Sequence, residues 1–204
     1  ALPFALKSFD LVMSAMALHW VNDLPGTLIQ IGRILKPDGL FLGAMLGGGT
    51  LWQLRQALAA AESEIEGGLS PRVSPFADLR DAAGLLQRAG FALPVADGET
   101  IDVEYESALA LMRDLGAMGE GNLVLERRRG LARRATFLRA AEIYGERFAG
   151  PSGRVMASFE VLFLHGWAPH ASQPKALKPG SAALRLSEAL GTAEYSAGEK
   201  VERS

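Results

Sequence analysis

The sequence predicts an α/β fold. Two short apolar runs, Phe9 to Ala15 and Leu40 to Leu46, flank a segment of helical periodicity, which is the signature of a βαβ unit. A period-two stretch, Thr100 to Tyr105, and a late apolar run, Ala157 to Gly166, add two more strands, with helical segments between them. The 204 residues are 49% hydrophobic and 22% charged, which excludes a wholly disordered chain.

Taken in order, Phe9-Asp10-Leu11-Val12-Met13-Ser14-Ala15 reads as a strand buried on both faces of a parallel sheet. Asp23 with Pro25 starts a helix whose apolar positions are Leu24, Leu28, Ile31, Ile34 and Leu35. Lys36-Pro37-Asp38-Gly39 ends it in a turn, and the second strand follows. Gly47-Gly48-Gly49-Thr50 closes that strand, and Leu51 to Ile65 is a helix. After a loop from Gly67, Ser74-Pro75 is placed to cap a third helix, with Leu79, Ala82, Ala83, Leu85, Leu86 and Ala89 on its apolar face and Gly90 at its end. Beyond the period-two strand, the spacing predicts helices over 107–117 and 122–148, the second open to interruption at Gly130. The last strand is expected to be antiparallel. Residues 1–170 then form the folded domain and 171–204 a flexible tail, with a short amphipathic stretch over 182–190.

Lys plus Arg number 21 and Asp plus Glu 23, so no global field draws the chain to nucleic acid or anionic lipid. Cysteine is absent, which removes thiolate chemistry and cysteine-ligated metal. Only His19, His165 and His170 are present, without ligand spacing, so no metal site is expected. No apolar run is long enough to span a membrane.

Three signatures, in this order and spacing, carry a resemblance. They are Phe9-Asp10-Leu11-Val12 followed by Ser14 to Trp20, then Leu35-Lys36-Pro37-Asp38-Gly39-Leu40-Phe41, then Leu85-Leu86-Gln87-Arg88-Ala89-Gly90-Phe91. Together they resemble the second half of a class I S-adenosylmethionine-dependent methyltransferase. The fold this implies is the C-terminal half of a Rossmann-like sheet, strands four to seven, with a helical insertion before the last strand. His19 to Pro25, Ser70 to Phe76 and Gly166 to Pro169 are similar to one branch of that family. The branch holds the biotin-pathway carboxyl methyltransferase and the mitochondrial complex I assembly methyltransferase-like protein.

The family holds its cofactor with four elements, and the resemblance places only the last of them, the loop after strand four, in this chain. The expectation is therefore a fragment that begins just before strand four, exposes that strand as a raw edge, and is inactive alone. S-adenosylmethionine would need residues upstream.

By resemblance, Ser14, Ala15, Met16, Ala17 and Leu18 approach the cofactor. Ligands of open α/β sheets bind beyond the carboxyl ends of the strands, where His19 and Trp20 fall. His19 is the candidate substrate contact or base. Trp20 is a candidate substrate contact, with core packing as its alternative. Gly48 permits close backbone approach at the same sheet end, and Trp52 is placed to line the cavity. Arg72 in Ser70-Pro71-Arg72 suits a carboxylate. Tyr105, Arg113, Glu120 and Asn122 flank the strand-six region as further cavity residues, each with a structural alternative. The arginines of 127–129 with Arg133, Arg134 and Arg139 read as a solvated helix face.

The activity this implies is methyl transfer to a small carboxylate or a protein side chain. The alternatives are hydroxylation of an arginine on a respiratory complex I subunit, or a non-catalytic assembly module. The setting is cytoplasmic for a bacterial protein and the mitochondrial matrix for a eukaryotic one.

Overall fold

The computed structural model describes residues 2–128, 130, 132–174, 181 and 184–193. The chain divides into two units, 1–171 and 172–204. The first contains strands β1 (Phe9–Ala15), β2 (Leu35–Leu46), β3 (Ala92–Tyr105) and β4 (Val155–Trp167). Its helices are α1 (Leu24–Ile34), α2 (Trp52–Glu66), α3 (Leu79–Arg88), α4 (Ala108–Ala117) and α5 (Arg134–Phe148). Among its described residues the second unit contains one helix, α6 (Leu186–Leu190). Much of the sequence-expected tail, including 175–180 and 194–204, lies outside the described residues, as does the start of the 182–190 stretch.

The four strands form one sheet in the order β1-β2-β4-β3. β1 and β2 are parallel, and α1 is their crossover. β4 runs antiparallel to both β2 and β3 and slots between them. The α/β class, the parallel first pair, the antiparallel last strand and the helical insertion before it all follow the sequence expectation. Local chemistry explains the first crossover. Asp23 accepts a hydrogen bond from the Gly26 N–H at 2.8 Å, and proline occupies the first turn of α1. Asp23→Ala is expected to cost about 1 kcal/mol, read as a lowered denaturation midpoint with unchanged slope.

One face of the sheet is covered by α1 and α3, except toward the end of β3, where Thr100, Asp102 and Glu104 stay exposed. Phe41, Met45, Leu162 and Leu164 point to α1 and α3 and meet Leu28, Ile31, Ala82 and Leu86. The opposite face is covered at one end only. There Leu54, Ala57, Leu58 and Ala61 of α2, Leu111 of α4 and Tyr144 of α5 enclose Val155 and Ala157 of β4. At its other end that face is open, with Met13 69% and Phe163 43% exposed.

Several expectations are corrected. β1 is an edge strand, as expected, but it is not buried on both faces: Leu11 and Met13 are exposed on the face that α2, α4 and α5 leave open. Lys36 to Gly39 do not separate helix from strand. The helix ends at Ile34, and these residues form a bulge inside β2, where Phe9 pairs with Leu35 but Leu11 with Leu40. Asp38 takes a left-handed φ of 65° there. Ser74-Pro75 does not start α3. Asp78 does, its carboxylate accepting from the Asp81 N–H at 2.7 Å. β3 begins at Ala92, well before Thr100, because β4 offers a partner along its whole length. Of the expected 122–148 helix, only α5 (Arg134–Phe148) is helical among the described residues. Arg127, Arg128 and Arg133 therefore do not share a helix face, and Arg129 lies outside the described residues. Arg128 pairs with Glu66 instead.

Candidate functional site

The parallel strands end together, and each ends in strain. Met16, just past β1, has φ 49°, and Leu51, past β2, has φ 55°. Left-handed backbone at a non-glycine residue is unfavourable and persists where the surroundings hold it. The Met16 N–H donates to the Ala44 carbonyl at 2.8 Å, and the Leu51 N–H to the Ser158 carbonyl at 2.7 Å. These bends throw two segments over the sheet end: one turn of 3-10 helix, Leu18–Trp20, and the glycine loop 47–49.

The 3-10 turn sets His19. Its ring is completely buried. The Leu46 N–H donates to Nδ1 at 3.4 Å, so the ring proton sits on Nε2, which lies 3.3 Å from Glu120 Oε1. Phe76 meets the ring edge-on at a centroid distance of 5.6 Å, and Trp20 lies against it at 5.6 Å. Glu120 is itself fixed. Gly119 ends α4 with φ 81°, and the Glu120 N–H returns to the Leu115 carbonyl at 2.9 Å.

The glycine loop closes on β4. The Gly49 N–H donates to Glu160 Oε2 at 2.6 Å, and a Cβ on Gly47 would lie 2.5 Å from that same oxygen. Gly48 borders a cavity of about 510 Å3, together with Arg55, Arg72, Val73 and Phe76. A narrower cleft of about 60 Å3 shares Arg72, Val73 and Phe76 with it and reaches Glu120. The loop 67–78 forms one wall of both, and ion pairs hold it there. Glu62, on α2, accepts from the Ser70 N–H at 2.8 Å, the Ser70 hydroxyl at 2.7 Å and Arg72 at 2.7 Å. Burial raises the Glu62 carboxyl pKa, but the Arg72 and Ser70 hydrogen bonds outweigh it and hold the group below the ordinary carboxylate value. Glu66 adds a contact to Arg72 at 3.5 Å, and the Arg72 guanidinium lies over the Phe137 ring.

Among the residues the sequence singled out, His19, Gly48, Arg72, Glu120 and Asn122 converge at this sheet end. Ala15, Met16 and Ala17 are exposed beside it, and Ser14 is half-buried. Leu18 is 4% exposed and its side chain serves the core. Trp20 is partly exposed over His19, and Trp52 packs edge-on against Phe148 at 5.2 Å. Tyr105 and Arg113 lie elsewhere, in an open groove, where the Tyr105 hydroxyl donates to Asp114 at 3.0 Å. Glu62 and Glu160 are not among the residues the sequence singles out, and Phe76 enters only within the Ser70 to Phe76 stretch, because their partners are 8 to 111 residues away. Among the described residues, no three His, Asp or Glu side chains converge at metal-binding spacing, and no helix is long and apolar enough to cross a membrane.

A βαβ unit with a cavity beyond its strand ends, completed by an antiparallel pair, is the arrangement reached here. The chain is similar to class I S-adenosylmethionine-dependent methyltransferases. A methyltransferase domain model matches residues 1–43. Among curated proteins, the chain is 46% identical over 187 residues to the mitochondrial arginine-hydroxylase NDUFAF5 of Danio rerio, covering 92% of this chain and 58% of that protein. It is 35% identical to the malonyl-[acyl-carrier protein] O-methyltransferase of Gallionella capsiferriformans, covering 92% of this chain and 61% of that protein. The chain thus spans about three-fifths of the length of these relatives. In fold it is similar to a solved Bacillus halodurans protein described as a candidate methyltransferase, at TM-score 0.51 and 15% identity, covering 83% of this chain and 74% of that one.

Ala15 and Ala17 present small exposed side chains on either side of the turned backbone at Met16, at the sheet end where ligands of open α/β sheets bind.

Proposed function

We propose that this chain forms the acceptor-side half of an S-adenosylmethionine-dependent transfer site. The single observation that carries the reading is the cavity beyond β2, whose Phe76 wall meets the His19 ring beside the Glu120 carboxylate. S-adenosylmethionine supplies a methyl group on a positively charged sulfur, open to in-line attack. The chain's own residues do the rest. Ala15, Met16 and Ala17 flank the cofactor side. Gly48 and the 67–78 loop shape the acceptor side. Phe76 and the buried His19 ring keep water from the floor. Arg72 holds that loop in place through Glu62 and Glu66.

The remaining cofactor walls come from polypeptide preceding residue 1 in the longer protein. The relatives' greater length supports this, as does the open sheet face around Met13, Leu42 and Phe163. The acceptor is a small carboxylate or a protein side chain. The 46% identity to an arginine hydroxylase favours a second reading, oxygen transfer to an arginine of a respiratory complex I subunit. In that case the protein works beside that complex, in the matrix or the bacterial cytoplasm.

Calorimetric titration with S-adenosylhomocysteine tests the reading. No binding is expected for the 204-residue chain, and micromolar binding once preceding residues are restored. Tight binding by the chain alone, or none in either form, defeats it. Mass spectrometry of the acceptor then separates addition of a methyl group from addition of an oxygen atom.

A further inference from the structure

We propose that Glu120 is the specificity-determining residue of this site, that it selects a flat cationic group on the acceptor, and that His19 is its positioning residue. The proposal rests on the acceptor-side reading above. His19 cannot meet an acceptor directly. Its ring is completely buried, Nδ1 is occupied by the Leu46 N–H, and Nε2 is turned to Glu120. What the pair presents to the cavity is the carboxylate. Glu120 is 22% exposed and lines the narrow cleft. Its Oε1 takes the His19 contact, and its Oε2 makes no protein hydrogen bond among the described residues. The Gly119 turn fixes the backbone beneath it, so the free oxygen is held in place before any acceptor arrives.

The cations nearby are committed. Arg72 is the only cation lining the cleft among the described residues, and Glu62 and Glu66 both engage it. Arg55 borders the wider cavity, with its Nη2 donating to the carbonyls of Gly48 and Thr50 at 3.3 and 3.2 Å. An anionic acceptor would have to displace a carboxylate from Arg72, whereas a cationic one finds an open oxygen. The cleft also discriminates by shape. It is narrow, about 60 Å3, and Phe76 and Phe159 line it. Aromatic faces with a carboxylate at the end suit a planar guanidinium better than a tetrahedral ammonium, since the plane stacks while its edge donates.

The test is a titration of the full chain followed by nuclear magnetic resonance, using N-acetyl-arginine amide as the probe. Saturable shifts are expected at the amides of Leu46, Gly119 and Glu120. Two comparisons need no variant. The neutral isostere N-acetyl-citrulline amide should bind at least tenfold more weakly, and malonate should not shift these amides. Glu120→Gln should lose at least tenfold in arginine-amide affinity while keeping the folded spectrum. His19→Ala should lose affinity and His19→Gln, which keeps a donor for Glu120, should recover most of it. Equal binding of citrulline amide, malonate shifts at these amides, or unchanged affinity in Glu120→Gln overturns the proposal. The titration contains no cofactor, so its failure is separate from failure of the S-adenosylhomocysteine experiment.

Discussion

Arg72→Ala should destabilise the protein by about 3–5 kcal/mol, the usual cost of removing one partner from a buried ion pair. Glu62 is 3% exposed, and without Arg72 it retains only the two Ser70 hydrogen bonds. Glu66 loses a contact too, though Arg128 and the Thr136 hydroxyl, the latter at 2.8 Å, still hold it. Chemical denaturation measures the loss. The double variant Arg72→Ala with Glu62→Gln should recover part of it, because the stranded charge is then gone. A loss below about 1 kcal/mol would mean the pair behaves as an exposed one.

The same substitution has a signed pH dependence. In the native protein the Glu62 carboxyl lies below its ordinary value. Its contribution is therefore present above the unfolded carboxyl pKa and is lost as pH falls through the depressed folded value. In Arg72→Ala the opposing guanidinium is absent and burial pushes the carboxyl up, so the penalty is largest near neutral pH and shrinks on acidification. The stability gap between the two proteins should narrow as pH falls through the carboxylate range. A gap that widens toward acid would reverse the assignment.

Phe41→Ala should cost about 3–5 kcal/mol and loosen the site from below. The Phe41 ring is fully buried and lies 5.5 Å from Phe91, centroid to centroid. Gly43 makes room for it: a Cβ there would stand 2.8 Å from Phe41 Cζ and 3.2 Å from Leu18 Cδ1. Leu18 begins the 3-10 turn that carries His19, so the void left by the ring opens under the turn. The substitution should lower the thermal midpoint and speed hydrogen exchange at the Trp20 and Val21 amides, which donate to the Ala17 and Leu18 carbonyls. A lower midpoint with unchanged exchange there would separate the core from the site.

Where a pattern lies within one element, the residues alone suffice. The Asp23 cap, the apolar face of α1 and the left-handed Gly90 after α3 are all decided within a few residues. Errors fall where a distant partner competes with the local signal. Ser74-Pro75 reads as a helix start, yet that segment stays extended along the cavity wall that Glu62 holds, and Asp78 caps α3 instead. β3 begins at Ala92 because β4 satisfies its backbone from that point, which the alternation at 100–105 does not reveal.

The site divides in the same way. Sequence alone determined the α/β class, the parallel β1–β2 pair and the placement of His19 at a strand's carboxyl end, because periodicity and chain order govern these. The tertiary structure decided what each group does there. It set Glu120 against His19 across 101 residues and tied Arg72 to Glu62 and Glu66, giving the guanidinium a loop to hold. It also folded the glycine loop onto Glu160 across 111 residues. The physical reason is that charge pairing and burial depend on distance in space, and spacing along a chain determines that distance only within a helix, a strand or a turn.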